Sequence, residues 1–172
     1  MYIKTDEGLG QAPMLYGSIA GVLGDVLPDP PVDSSAVSGC ATAAKPFDDF
    51  AFRSTAVPAK YGPRIKELAK IIVQSWVTDP GGAIRTVCLE GHTDNVGPTD
   101  FNKRLGLARA KNLRSALKEA IFAEAAKTGF PQQITDSVTI LVSSKGKANP
   151  AATNTTSLGR RRNRRVRFAW ST

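Results

Sequence analysis

The sequence predicts an α/β fold in which helices pack on a mixed four-stranded sheet. Three observations lead there. Two long stretches carry apolar residues at spacings of three and four, the signature of amphipathic helices. Short runs rich in β-branched residues alternate with them. Gly- and Pro-containing turns separate the two kinds of segment. The order reads β-α-β-α-β-(α)-β, which suits helices layered on one or both faces of a sheet.

The elements follow in chain order. Residues 1–45 read as an N-terminal extension or linker and residues 46–172 as the folded domain. Met14 to Leu27 is moderately apolar, and Pro28, Pro30 and Pro31 then break any helix. Lys4 is followed by Asp6 and Glu7, so there is no basic start to a signal peptide. Val37-Ser38-Gly39-Cys40 has the outline of a lipoprotein cleavage site, but the acids and prolines before it are no hydrophobic region. The extension reads as packing weakly on the domain or wrapping it, and its start as either an artificial boundary or a cut from a longer chain. Phe47 to Thr55 alternates weakly and is the candidate first strand. Pro58 to Trp76 reads as a helix with Ile65, Leu68, Ala69, Ile72 and Trp76 on one face. Pro80-Gly81-Gly82 turns the chain into a second strand, Ile84 to Leu89.

A long helix is expected from Thr99 or Asp100, either of which can cap it, to about Lys127, where Gly129-Phe130-Pro131 stops it. Its apolar stripe is Ala110, Leu113, Leu117 and Ile121. Ser137 to Ser143 alternates as a third strand, Leu158 to Asn163 is a short helix, and Val166 to Trp170 is the fourth strand. Trp76 and Trp170 are read as packing residues.

Composition narrows the function. A hydrophobic fraction of 41% and a charged fraction of 22% are those of a globular domain. No apolar run approaches the ~20 residues that span a bilayer as a helix. Two cysteines and a single histidine make a zinc site a poor fit. Cys88 reads as a buried small apolar residue, with a Cys40–Cys88 disulfide as the alternative in an oxidising compartment. The formal net charge is +8. From Lys145 onward there are Lys145, Lys147, Arg160, Arg161, Arg162, Arg164, Arg165 and Arg167 and no acid. A basic end of this kind is either a solvated face or a surface for nucleic acid or another anionic polymer.

One stretch carries chemistry. Glu90-Gly91-His92-Thr93-Asp94-Asn95-Val96-Gly97 follows the second strand and leads to Asn102, Leu105, Gly106 and Arg109 on the long helix. Asn102, Leu105/Gly106, Arg109 and Leu113 share one helix side, and Arg109 is expected at the edge of the buried face. An acid at a strand end then meets a base on a helix. One reading is an internal Asp94–Arg109 salt bridge, worth at most ~1 kcal/mol at a surface. The other is a clamp for an amino-acid headgroup. Asp94 would accept from the ammonium, Arg109 would hold the carboxylate with two parallel N–H···O bonds, and Thr93 and Asn102 would add neutral hydrogen bonds. His92 reads as a hydrogen-bonded structural residue, and Gly91 and Gly97 as backbone devices rather than a phosphate loop. No carboxylate pair, metal site or activated nucleophile is spaced for hydrolysis, so no enzyme activity is expected.

Three ordered blocks resemble the OmpA-like C-terminal domain family. They are Gly91-His92-Thr93-Asp94-Asn95-Val96-Gly97, then Asn102-x-x-Leu105-Gly106-x-x-Arg109-Ala110, then Asn163-Arg164-Arg165-Val166. The resemblance covers roughly residues 47 to 170, and Leu105-Gly106 is similar to the family's lipoprotein branch. It implies the β/α sandwich and non-covalent binding of peptidoglycan through the diaminopimelate of the stem peptide. It also implies a periplasmic, envelope-anchoring role, other envelope proteins as partners, membrane contact only through a separate anchor, and no cofactor. The implied ligand-binding residues are Asp94, Arg109, Thr93, Asn102 and Leu105, with Arg165 in support. The family's acidic run at the first strand is missing, because Phe50-Ala51-Phe52-Arg53 has neither acid.

Overall fold

The computed structural model describes residue 37 and residues 39–172. The expectations for the earlier part of the N-terminal extension lie outside the described residues.

Four strands, β1 (Thr42–Phe47), β2 (Thr86–His92), β3 (Thr139–Gly146) and β4 (Val166–Ser171), form one sheet in the order β1-β4-β2-β3. β2 and β3 run parallel, while β4 is antiparallel to both β1 and β2. The mixed sheet and its helices match the predicted fold class. Helix α1 (Gly62–Thr78) and helix α2 (Thr99–Ala125) pack against the sheet. Their apolar stripes meet Val87, Leu89, Val166, Phe168 and Trp170 from β2 and β4 in the main core. Trp170 is buried there and Trp76 packs on its edge, donating its indole N–H to the Ile84 carbonyl at 3.0 Å.

The alternating period of a strand sends the intervening residues to the other face. There Cys88 and Ala169 form a second, small cluster with Val37 and Cys40. Cys40 and Cys88 are disulfide-bonded, with Cα atoms 6.0 Å apart. The alternative reading of the cysteines is therefore the one that holds, and Cys88 is not merely a small apolar filler.

Two further expectations are corrected. The first strand is not Phe47–Thr55 but Thr42–Phe47. It pairs with β4 through Thr42↔Trp170, Ala43↔Ala169 and Ala44↔Phe168, with an irregularity before Phe47↔Val166. Residues 48–58 are instead a loop, in which Asp49 and Arg53 adopt positive φ. Pro131 does not simply stop the chain. It opens a short helix α3 (Pro131–Ser137), where its missing N–H costs nothing. The last helix, α4 (Ser157–Asn163), starts with the Thr156 side chain accepting from Gly159 N. α2 begins at Thr99 as expected, but Pro98 occupies the cap position and no side chain caps it.

Candidate functional site

Three chain segments converge at the C-terminal end of β2. The first is the β2–α2 loop carrying Thr93 and Asp94. The second is the first three turns of α2, with Asn102 and Arg109. The third is the junction of α4 and β4, with Arg164. The loop 48–58 lies over them.

β2 and α2 come close because neither has a side chain at the crossing. A Cβ on Gly91 would overlap the Gly106 carbonyl, and one on Gly106 would meet the Ser144 hydroxyl and the Gly91 backbone. That close approach lets Arg109, one turn beyond Gly106, reach the end of β2. Its Nη1 donates to the His92 carbonyl at 3.1 Å. Its Nε donates to Ser54 O at 2.8 Å and its Nη2 to Ala51 O at 3.1 Å. Arg109 is thus not at the edge of the buried face but wholly enclosed, with 0% exposure. Three of the guanidinium's five N–H donors are engaged, leaving one on each terminal nitrogen. Burial, with the nearby Arg164 charge, pushes Arg109 down to about 10, and Asp94 opposes the shift. The group is still a cation at neutral pH.

Asp94 does not pair with Arg109. Its Oδ2 accepts from Arg164 Nη1 at 3.0 Å, and its Oδ1 accepts from Val96 N at 3.2 Å. Arg164 also donates through Nε to Phe50 O, while Phe50 N donates back to Arg164 O. The salt bridge at this site therefore runs between Asp94 and Arg164. Arg164 lies in the Asn-Arg-Arg block, in which the resemblance implies a supporting role for Arg165 instead. Arg165 is buried beside it, donates to Asn149 O at 3.1 Å, and accepts His92 N at its carbonyl. Sequence carried no signal for which of two adjacent arginines would face Asp94.

The remaining expected residues are also placed. Thr93 is buried, with its hydroxyl donating to Asp94 O at 2.9 Å. Asn102 ties the β2–α2 loop to its helix, donating through Nδ2 to Val96 O and Gly97 O at 3.0 and 3.2 Å. Its Oδ1 is buried without a partner among the described residues, which leaves one acceptor unused at the site. Gly97 has a φ of 98°, which lets the loop turn without strain. Leu105 is half-buried on α2.

The C-terminal arginines have structural work. Arg161 grips Asp49 with two bonds of 2.6 and 2.9 Å and holds that carboxyl well below its ordinary range. Arg160 donates to Asn154 O and Thr155 O. Arg167 lies along Glu90 at 3.3 Å. Among the described residues, Arg162 alone of the three α4 arginines makes no such bond. His92 is buried, as a structural histidine should be, and bonds Glu90 Oε1 through Nε2 at 3.0 Å. Among the described residues no group of three or more His, Cys, Asp and Glu is placed to hold a metal. No described helix is long and apolar enough to cross a membrane.

With this geometry in place, the chain can be set beside known proteins. Residues 49–164 match the model of the OmpA family. The outer membrane protein Omp38 of Acinetobacter baumannii is 35% identical over 109 residues, covering 62% of this chain and 25% of Omp38. The outer-membrane lipoprotein YfiB of Pseudomonas aeruginosa is 37% identical over 83 residues, covering 48% of this chain and 42% of YfiB. This chain thus spans well under two thirds of those relatives. The peptidoglycan-associated lipoprotein of Burkholderia pseudomallei superposes with a TM-score of 0.55 at 22% identity, over 83% of this chain and 100% of that one. The C-terminal domain of Helicobacter pylori MotB gives 0.54 at 23% identity, over 74% and 84%. At such identities these two structures speak for the fold.

Proposed function

Since the chain belongs to the OmpA family, we propose that it binds peptidoglycan non-covalently through the diaminopimelate headgroup of the stem peptide and anchors an envelope component to the wall from the periplasm. The observation that carries the reading is one buried acid at a strand end, Asp94, paired with Arg164 and lying within the electrostatic reach of a second buried arginine, Arg109. A buried acid flanked by two cations is suited to a ligand that brings both charges. The ammonium approaches Asp94, whose carboxylate has unused lone pairs. The carboxylate is drawn by the enclosed Arg109 cation, whose planar fork holds the loop 48–58 at the site in a way that Lys does not offer. Arg164 keeps Asp94 paired while the site is empty and becomes available to the ligand's carboxylate when the ammonium takes its place. The name of one fold relative, a peptidoglycan-associated lipoprotein, points the same way.

The alternative, a basic segment that binds nucleic acid, finds less support. Arg160, Arg161, Arg164 and Arg167 are committed to internal bonds.

The test is co-sedimentation with diaminopimelate-type peptidoglycan. Asp94→Ala and Arg109→Lys should cut the bound fraction sharply, in line with the ~2–5 kcal/mol that loss of one partner in a buried charged contact costs. Thermal melts of both variants separate lost binding from lost fold. Wild-type pelleting by folded variants would sink the site.

A further inference from the structure

The loop over Arg109 carries a cation that the headgroup clamp does not use. Arg53 is exposed and holds a φ of 55°, a conformation that costs a non-glycine residue ~1–3 kcal/mol and persists only where its surroundings impose it. They do so here. Phe50 is locked to Arg164 by bonds in both directions, and Ala51 O and Ser54 O are held by Arg109. Ser54 N closes the turn on Ala51 O at 3.0 Å. The residues on both sides of Arg53 are thus fixed to the candidate site.

The side chain is held as well. Its guanidinium lies 5.3 Å from the Phe52 ring and 5.9 Å from the Phe101 ring. Phe52 is 52% exposed although it stands beside the site, and Phe101 adjoins Asn102 and touches the Gly97 turn. The cation therefore bridges the loop 48–58 and the first turn of α2, which border the clamp. No carboxylate among the described residues pairs with it. Rings hold the faces of a guanidinium and leave its N–H edge open, the edge that carboxylates accept.

We propose that Arg53, steadied by Phe52 and Phe101, is a specificity-determining residue: it receives a second carboxylate of the stem peptide, next to the headgroup held by Asp94 and Arg109. This rests on the peptidoglycan reading and adds to it a discrimination between stems with a free carboxylate beside the diaminopimelate and stems in which that group is a carboxamide. Because the cation is already ordered, less side-chain entropy is lost on binding. Because it is exposed, the gain is small and falls with salt.

The experiment is calorimetric titration of the full chain, at low ionic strength, with synthetic diaminopimelate-terminated stem peptides. In them the neighbouring glutamyl carboxylate is either free or amidated. The wild-type protein should prefer the free acid by about two- to fivefold, the range of an exposed ion pair. Arg53→Gln should bind both peptides equally, at the wild-type affinity for the amide, while Arg53→Lys should keep part of the preference. Arg53→Gly, which suits the positive φ, should behave as Arg53→Gln does if charge rather than loop shape is the cause. Equal wild-type affinity for the two peptides overturns the role of Arg53 and leaves the clamp standing. Absence of wild-type binding to either overturns both.

Discussion

His92 is the residue whose environment makes the sharpest demand. Burial pushes its imidazole down from the ordinary value of 6.5, the Arg165 and Arg167 charges push the same way, and the Glu90 hydrogen bond only partly opposes them. The ring is neutral in the fold, donating from Nε2, and its Nδ1 has no partner among the described residues. An unfolded chain binds this proton near pH 6.5, and the folded one resists it. Unfolding therefore takes up a proton, and stability falls as pH drops below 6.5 towards the folded-state pKa. Glu90, held down by His92, Arg167 and Lys145 despite burial, loses its contribution only at lower pH, below its ordinary 4.5. Urea unfolding at pH 7.5, 6.0 and 5.0 should show a falling midpoint in the wild type and a flatter profile in His92→Gln, which keeps a donor towards Glu90. Parallel profiles would show that the imidazole proton is not involved. At this scale the sequence was legible wherever residue type and spacing suffice, as for the placement of Asp94 at a strand end, of Asn102 on α2, and the structural role of His92. It was blind to partners. Arg109 reaches the carbonyls of Ala51 and Ser54 rather than Asp94, and carbonyls leave no trace in a side-chain pattern.

The elements that build the site meet at Gly91 and Gly106. Contact there brings α2 onto β2 and so carries Arg109 to the strand end. Gly106 is spared a side chain because Ser144 of β3 fills the space, donating its hydroxyl to Gly91 O at 3.2 Å. A Gly106→Ser change should cost ~1–3 kcal/mol by overpacking. Ser144→Ala removes the atom that a new Cβ would strike first, so the pair should recover about 1 kcal/mol relative to additive single changes. The recovery is partial, since the Gly91 backbone lies 2.9 Å from the same Cβ. A thermodynamic cycle over the four proteins measures the coupling, and simple additivity would show that the two positions do not share that space. The long helix and the three later strands were legible because their periodicities run over many residues. β1 was not, because Thr42–Phe47 has small and polar residues where a sheet edge strand needs little side-chain burial, whereas Phe50 and Phe52 put the strand-like alternation in the loop that follows it. α3 escaped because seven residues give too few periods, and only Ile134 is buried.

For the molecule as a whole, the sheet carries a core on each face, and the smaller one is stapled. The Cys40–Cys88 bond joins residues 48 positions apart and ties the segment before β1 to the sheet's central strand β2. Composition could name the two cysteines and the compartment in which they would pair. The pairing itself depends on β1 lying two strands from β2, which no local pattern encodes. Closing a loop of this length restricts the unfolded chain by an amount worth about 4 kcal/mol in the chain-entropy model, and measured values run ~2–4. Urea unfolding of the oxidised protein should therefore show a higher midpoint than unfolding with a thiol reductant present. A Cys40→Ala, Cys88→Ala protein should match the reduced form and ignore the reductant. Peptidoglycan pelleting by that folded double variant should stay at the wild-type level, because Asp94, Arg109 and Arg164 are held by bonds among β2, α2 and the loop 48–58 and not by the cysteines. A staple that left the midpoint unchanged would mean the far-face cluster of Val37, Cys40, Cys88 and Ala169 holds the segment in place by packing alone.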